Sequence, residues 1–270
     1  VSTPLTPRDI QRWYPSRWDQ IAGNSAMIAT CWDMLQNGPC NTLFTGPHRT
    51  GKTRTISLAV ESLLCPNRTT TLDPCGVCAS CRAVKEARKA HTGLYSVMTE
   101  SGYSFVPIDC QTVTVEDLRE VLRNADLENL RTVIYLDEVA ALGRRGIETS
   151  LLKPIDESPC IWIASAITVN KPIKRGQAAR VDGLSTQMQA RFAVKVGTAL
   201  PTIRELTQWV KDRCKEWEIS IEQPELVLPA LVKGSGHRVG YVVLALADAA
   251  ARGRRLTPDQ ISRFNFGSPD

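Results

Sequence analysis

Eight residues, Gly46-Pro47-His48-Arg49-Thr50-Gly51-Lys52-Thr53, constrain this chain of 270 residues more than any other segment. They have the spacing G-x-x-x-x-G-K-[ST], a match that chance supplies in about 1 of 100 chains of this length. Leu43-Phe44 before them suits a buried strand, and Ile56, Ala59, Val60, Leu63 and Leu64 after them recur at helical spacing. Strand, glycine-bounded loop and helix together make an anion site from backbone N–H groups and a helix N-terminus. All eight residues are candidates for nucleotide contact. Lys52 is placed to reach β- and γ-phosphates, and the Thr53 hydroxyl to ligate Mg²⁺.

A second motif answers the first. Thr132-Val133-Ile134-Tyr135-Leu136-Asp137-Glu138-Val139 is an apolar, β-branched run that ends in two acids. A buried strand presents such acids at its C-terminal end, where open α/β sheets bind ligands. Asp137 is expected to hold Mg²⁺ and Glu138 to polarise an attacking water. Either motif alone has a bland reading; in one chain they predict nucleoside triphosphate hydrolysis.

The cysteines argue separately. Of nine, Cys65, Cys75, Cys78 and Cys81 fall within one short stretch, and the other five are scattered. That is no secreted disulfide framework, and a reducing, cytoplasmic compartment is expected. The spacing supplies four thiolates, with Pro74 and Gly76 turning the chain between them, enough for a closed and structural Zn²⁺ site. Lys85, Arg88 and Lys89 follow on a predicted helix as a solvated face. A net charge of +5 permits nucleic-acid contact without arguing for it. With no run of 18 apolar residues a membrane span is not expected, and residues 1–4 carry no secretory signal pattern.

Elsewhere the pattern alternates between strands and helices. Residues 25–35 read as a helix, 105–109 as a strand, and Thr114-x-x-Asp117 as a capping box opening another helix. Ile147, Leu151, Leu152 and Ile155 share a helix face that Pro154 is expected to interrupt or end. Residues 160–165 and 193–196 read as strands, with Ser165 or Thr168 at the end of the first. Beyond residue 199 the texture turns helical. Thr202 and Glu205 open one helix, a second around 219–232 is expected to be broken by Pro224 and Pro229, and a third spans 239–251. The predicted fold class is α/β, with a P-loop domain at 1–198 built on a parallel sheet flanked by helices. It carries the cysteine module at 65–81, and a helical domain follows at 199–265.

These motifs, in this order, resemble the ATPase subunits of clamp loaders within the AAA+ superfamily, most of all the gamma/tau subunit of bacterial DNA polymerase III. Pro74-Cys75-Gly76-x-Cys78-x-x-Cys81 directly behind the P-loop helix is similar to that family's zinc module. Trp13-Tyr14-Pro15 to Gly23-Asn24 resembles its adenine box. Val115 to Leu122, Leu136 to Val139 and Thr149 to Lys153 match as well. The resemblance implies ATP as substrate, Mg²⁺ and Zn²⁺ as cofactors, and a lid formed by residues 199–265. The partners it implies are other clamp-loader subunits in an oligomer (pentameric in the family), a sliding clamp and primer–template DNA, with no membrane. Arg191, in Ala190-Arg191-Phe192 where the family has Ser-Arg-Cys, is implied to act in trans on a neighbour's ATP. Arg238 is implied to be the sensor 2 arginine, and Thr168 or Ser165 to be sensor 1. The resemblance runs over residues 8–255 and leaves no room for the family's collar domain. Residues 91–104 look like the related delta-prime subunit. The basic loop 170–185, with Lys171, Lys174, Arg175 and Arg180, reads equally as a linker or as a DNA or partner contact. The alternatives are a nucleotide switch with little turnover, or an AAA+ ATPase for another DNA task such as helicase loading.

Overall fold

The computed structural model describes residues 14–89, 97–98, 102–127, 131–168 and 181–266. Trp13, the four basic residues of the 170–185 loop and most of the 91–104 stretch lie outside them.

In chain order the elements begin with α1 (Ser25–Asn37), β1 (Thr42–Gly46), α2 (Lys52–Leu64), α3 (Ala79–Lys89), β2 (Val97–Met98) and β3 (Tyr103–Asp109). They continue with α4 (Val115–Leu127), β4 (Arg131–Asp137), α5 (Ala140–Arg144), α6 (Thr149–Glu157), β5 (Ile161–Ile167), α7 (Thr186–Ala190) and β6 (Val194–Gly197). The six strands form one sheet in the order β2-β3-β4-β5-β1-β6, parallel except for the antiparallel β2 at its edge. The P-loop strand β1 is therefore an interior strand beside the β6 edge, with Thr42 opposite both Ile163 and Val194.

Strand alternation divides the core between the two faces of the sheet. Leu43, Ile134 and Leu136 join Leu118 of α4 and Leu151 and Ile155 of α6 on one face. Phe44, Val133 and Tyr135 join Met27 of α1, Ile56 and Val60 of α2 and Val84 of α3 on the other. Both faces are covered, so the strand ends are left to carry chemistry. Capping decides several helix starts. At α4, Thr114 N donates to Asp117 Oδ2 at 2.8 Å and Asp117 N to Thr114 Oγ1 at 3.1 Å.

The chain then forms α8 (Ile203–Glu216), β7 (Ser220–Ile221), α9 (Pro224–Gly234), α10 (Val239–Ala251), β8 (Arg255–Leu256) and α11 (Pro258–Arg263). These helices gather around a third cluster that includes Leu206, Trp209, Val227, Leu231, Val242 and Leu246, and Ala22 from the N-terminal segment packs into it. Gly23 permits that approach. It lies at φ 61°, and a Cβ there would stand 2.9 Å from Pro201 Cβ. No helix among the described residues is long and apolar enough to cross a membrane.

The prolines behave differently from expectation. Pro154 lies inside α6, which continues to Glu157. Pro224 opens α9 at its first turn instead of breaking it, and Pro229 lies within that helix on an exposed face. Proline near a helix start forfeits little, because the first N–H groups have no intrahelical partner. On an exposed face, water satisfies the carbonyl that a later proline leaves open.

Candidate nucleotide site

The P-loop is closed by its own polar atoms. Gly46 sits at φ 152° and Gly51 at φ 92°. A Cβ at Gly46 would fall 1.8 Å from Thr198 Oγ1, so no other residue fits there without displacing Thr198. Thr50 Oγ1 donates to Pro47 O at 3.0 Å, and the Asn24 amide donates to Thr50 O at 2.8 Å. Lys52 Nζ folds back to Gly46 O at 2.8 Å and Pro47 O at 2.6 Å. Burial lowers the Lys52 ammonium to a pKa of about 8, and the charges of Asp137 and Glu138 oppose that shift.

The two acids emerge at the end of β4, beside this lysine. Asp137 Oδ1 accepts from Ser165 Oγ at 2.6 Å, Tyr135 OH at 2.8 Å and Thr53 Oγ1 at 3.4 Å. Burial, reinforced by the Asp137 charge, raises the Tyr135 phenol well above its usual range, so it remains a donor. Glu138 takes a left-handed backbone at φ 53°, which turns it away from the strand line. Ser165 Oγ accepts its N–H at 3.1 Å, and the Gln111 amide donates to Glu138 Oε2. A shared Mg²⁺ is compatible with the Thr53–Asp137 spacing and the oxygen donors there.

These groups line one end of a cleft of about 1300 Å³, roomy enough for a nucleoside triphosphate. Tyr14, Gln20, Ile21 and Ala22 line its other side, with Trp209, Arg213 and Glu216 of α8 and Val239, Gly240, Val243 and Leu244 of α10. Gly240 N donates to Arg49 O at 3.0 Å, and the Arg49 guanidinium lies 4.6 Å from the Tyr241 ring centroid. The P-loop is thereby joined to α10. Arg82 and Lys85 of α3 also face the cleft, and Lys85 Nζ donates to Gly76 O at 3.2 Å, so α3 is more than a solvated face.

Three expected residues have partners that the spacing does not show. Ser165 and Ile167 line the cleft, and the N–H of Thr168, the next residue, donates to Gly46 O at 3.2 Å. Arg238 is the buried N-cap of α10, directly before Val239 and Gly240, which line the cleft. Arg191 is held on its own chain, donating to Leu152 O at 2.7 Å and Gln187 O at 2.8 Å and pairing with Asp156 at 2.8 Å.

The four cysteines converge. Their Sγ atoms all lie within 4.8 Å of one another, and Cys78 and Cys65 are 3.9 Å apart. A tetrahedral Zn²⁺ with bonds of about 2.3 Å sets its sulfurs about 3.8 Å apart, so the cluster is compatible with that ion. Backbone N–H groups of Cys75, Cys78 and Cys81 donate to Cys65, Cys75 and Cys78 sulfurs at 3.3, 3.3 and 3.4 Å. Such donors at Val77 and Cys78 pull the Cys75 thiol down to about 6, while burial raises the Cys65 and Cys81 thiols. The module also grips the N-terminal segment. Trp18 N donates to Asp73 Oδ1 at 2.7 Å and Trp18 Nε1 to Leu72 O at 3.0 Å.

Sequence reasoning gave no role to Gln111, Thr198, Arg213 and Glu216, named Tyr135 only as part of a strand, and named Asn24 only as the end of the adenine box. Gln111 lies in the turn that follows β3 and carried no motif. Tyr135 sat within the motif strand, two residues before Asp137, which is the one available signal.

The comparisons with known proteins agree with this geometry. The tau subunits of DNA polymerase III from Escherichia coli and Salmonella typhimurium are each 28% identical over 155 residues, covering 55% of this chain and 22% of theirs. The Bacillus subtilis tau subunit is 24% identical over 161 residues, 58% of this chain and 27% of that one. The chain thus matches under a third of the length of these relatives. Among solved structures, the Thermotoga maritima RuvB Holliday junction branch migration motor superposes with a TM-score of 0.56 at 17% identity, covering 93% of this chain and 72% of that one. That likeness shows that the two chains share a fold. The family model described as DNA polymerase III, delta subunit, matches residues 29–171, more than half of the sequence, and the chain belongs to that family, with a likeness to its gamma/tau relatives.

Proposed function

We propose that this chain is an ATP-hydrolysing clamp-loader subunit, which works with neighbouring subunits to open a sliding clamp and set it on primer–template DNA in the cytoplasm. One observation carries the reading: Lys52, Thr53, Asp137, Glu138 and Ser165, from three separate segments, meet at one end of a cleft of triphosphate size. In this reading the P-loop N–H groups receive the phosphates, and Lys52 swings from the Gly46 and Pro47 carbonyls to the β- and γ-oxygens. Thr53 and Asp137 would hold Mg²⁺, which neutralises charge on the phosphates. Glu138 orients the attacking water and accepts its proton, while Ser165 and Tyr135 keep Asp137 aimed. Arg191 leaves Asp156 when a neighbouring subunit docks and reaches that neighbour's γ-phosphate. Residues 199–265 serve as a lid over the base. Cys65, Cys75, Cys78 and Cys81 would hold Zn²⁺ in a structural role. Ser165 or Thr168, at the C-terminal end of β5, serves as sensor 1, and Arg238, at the start of α10, as sensor 2.

The test is turnover against binding. Glu138→Gln is expected to leave ATP affinity within about threefold and to cut hydrolysis about 10²–10⁴-fold. Arg191→Ala is expected to cut turnover of the assembled complex about 10³-fold or more with ATP binding retained. A parallel loss of binding would sink the trans assignment.

A second reading, a nucleotide-dependent assembly subunit with little turnover, draws support from the Gln111 bond that restrains Glu138. Single-turnover hydrolysis with clamp and DNA present separates the two. Product formation at the rate of ring assembly favours the first, and stably bound ATP favours the second.

A further inference from the structure

Arg213 lines the cleft from α8 and is only 7% exposed. Its Nη1 reaches Glu216 Oε2, yet its Nε has no hydrogen-bond partner. A buried guanidinium with an unmatched N–H is unfavourable, and an acceptor arriving with a ligand removes that penalty.

Its neighbours fix where in the cleft it lies. Trp209 and Glu216, one turn before and one turn after it on the same helix face, both bond Gln20. Trp209 Nε1 donates to Gln20 O at 2.8 Å, and Gln20 Nε2 donates to Glu216 Oε1 at 2.7 Å. Arg213 therefore sits against the Gln20-Ile21-Ala22 edge. From that edge the chain runs directly to Asn24, whose amide holds Thr50 of the P-loop. A triphosphate seated on the loop sends its base along this path, towards walls made by Ile21, Ala22, Val239 and Val243. Apolar walls cover the flat faces of a base and leave its polar edge unmatched. The Gln20 amide is already committed, because its Oε1 also accepts from Ser16 N at 2.8 Å and Arg17 N at 3.2 Å.

We propose that Arg213 is the base-reading residue of this cleft, donating to a purine acceptor (a ring nitrogen or a carbonyl oxygen) while Glu216 holds the guanidinium in place. The assignment rests on the nucleotide reading of the site given above. A pyrimidine is one ring shorter and leaves the donor unmatched, so the site selects purines. An anchored guanidinium also does more than steer charge: it discriminates by the position of the acceptor.

Calorimetric titration of the full chain with Mg-ATP, Mg-GTP, Mg-CTP and inorganic tripolyphosphate tests this. The wild-type protein is expected to bind purine triphosphates at least about tenfold more tightly than CTP. Arg213→Met is expected to lose about 10–100-fold in purine affinity and nothing in tripolyphosphate affinity, which also reports that the variant is folded. Arg213→Lys, which keeps the charge, is expected to recover part of the loss. Equal losses for purines and tripolyphosphate, or unchanged purine binding, overturn the proposal. A wild-type protein that binds tripolyphosphate with no purine preference overturns it while leaving the phosphate site standing. A wild-type protein that binds no triphosphate overturns the reading of the site itself.

Discussion

The P-loop and the four-cysteine loop lie one helix apart in the sequence, yet they hold their shapes by opposite means. The P-loop is closed by donors of the chain itself: Asn24, Thr50 and Lys52 bond its carbonyls, and two glycines with positive φ make the turns. Its anion-receiving form is set before any anion arrives. The cysteine loop brings four sulfurs together with N–H···S and S–H···S contacts around them, and burial opposes a full set of thiolates there unless a cation joins them. One region is organised in advance, and the order of the other is conditional. They are nonetheless coupled, since Asp73 and Leu72 of the conditional region hold Trp18, next to the segment that lines the cleft.

That contrast can be broken. Lys52→Met is expected to weaken Mg-ATP binding by about 100-fold or more, because charge-assisted bonds to phosphate are lost. Thermal melting of the unliganded protein should fall by only a few degrees, since Asn24 and Thr50 still close the loop and a buried ammonium is removed with the two carbonyl bonds. Unfolding of the variant would make Lys52 the sole strut and undo the view of a loop held by several of its own donors. Chelation under reducing conditions, or Cys78→Ser, is expected to act in the reverse order. Melting should fall on the order of 10 °C and ATP affinity about tenfold through Trp18. Metal analysis together with calorimetry checks this, and unchanged melting after complete metal removal would end the distinction.

Two smaller effects sharpen it. The protonated Lys52 is the form that meets phosphate, and burial puts its pKa at about 8 in the free protein. ATP affinity is then flat below that pH and falls by up to about tenfold per pH unit above it, with proton uptake on binding. Titration between pH 7 and 9.5 in buffers of different ionisation enthalpy reads both; a flat profile would mean that Lys52 stays charged throughout. Gln111→Ala is expected to raise basal turnover about fivefold without changing affinity, as one restraining hydrogen bond on Glu138 is released. Lower turnover would instead make Gln111 a group that positions Glu138 for attack.

How much of this was legible in the sequence depends on how far apart the partners lie. The P-loop, the Asp137-Glu138 pair and the Thr114–Asp117 and Thr202–Glu205 caps are local, and their spacing alone determines their geometry. The bond of Ser165 to Asp137 could not be read locally, because it depends on the register of β5 beside β4, where Leu136 faces Ala164. Arg191 carried a role by resemblance, but nothing in sequence spacing shows that Asp156 already holds it. Arg213 carried no motif; Glu216 is its helix neighbour, but only the fold brings Gln20, 189 to 196 positions away, to Trp209 and Glu216 on either side of it. The prolines misled for the converse reason: their cost depends on position within a helix that only the structure delimits.

The place of β1 between β5 and β6 has a consequence for the order of assembly. Asn41 receives the N–H of Trp162 from 121 positions later, and Thr45 donates to Val196 O from 151 positions earlier. Both hydrogen-bonding neighbours of the P-loop strand are therefore supplied by the second half of the chain, and loop closure over such distances is slow. During synthesis the P-loop and its lysine leave the ribosome early but have no sheet to seat them until β5 and β6 follow. The motif that is first to be read in the sequence is among the last parts of the protein able to bind anything.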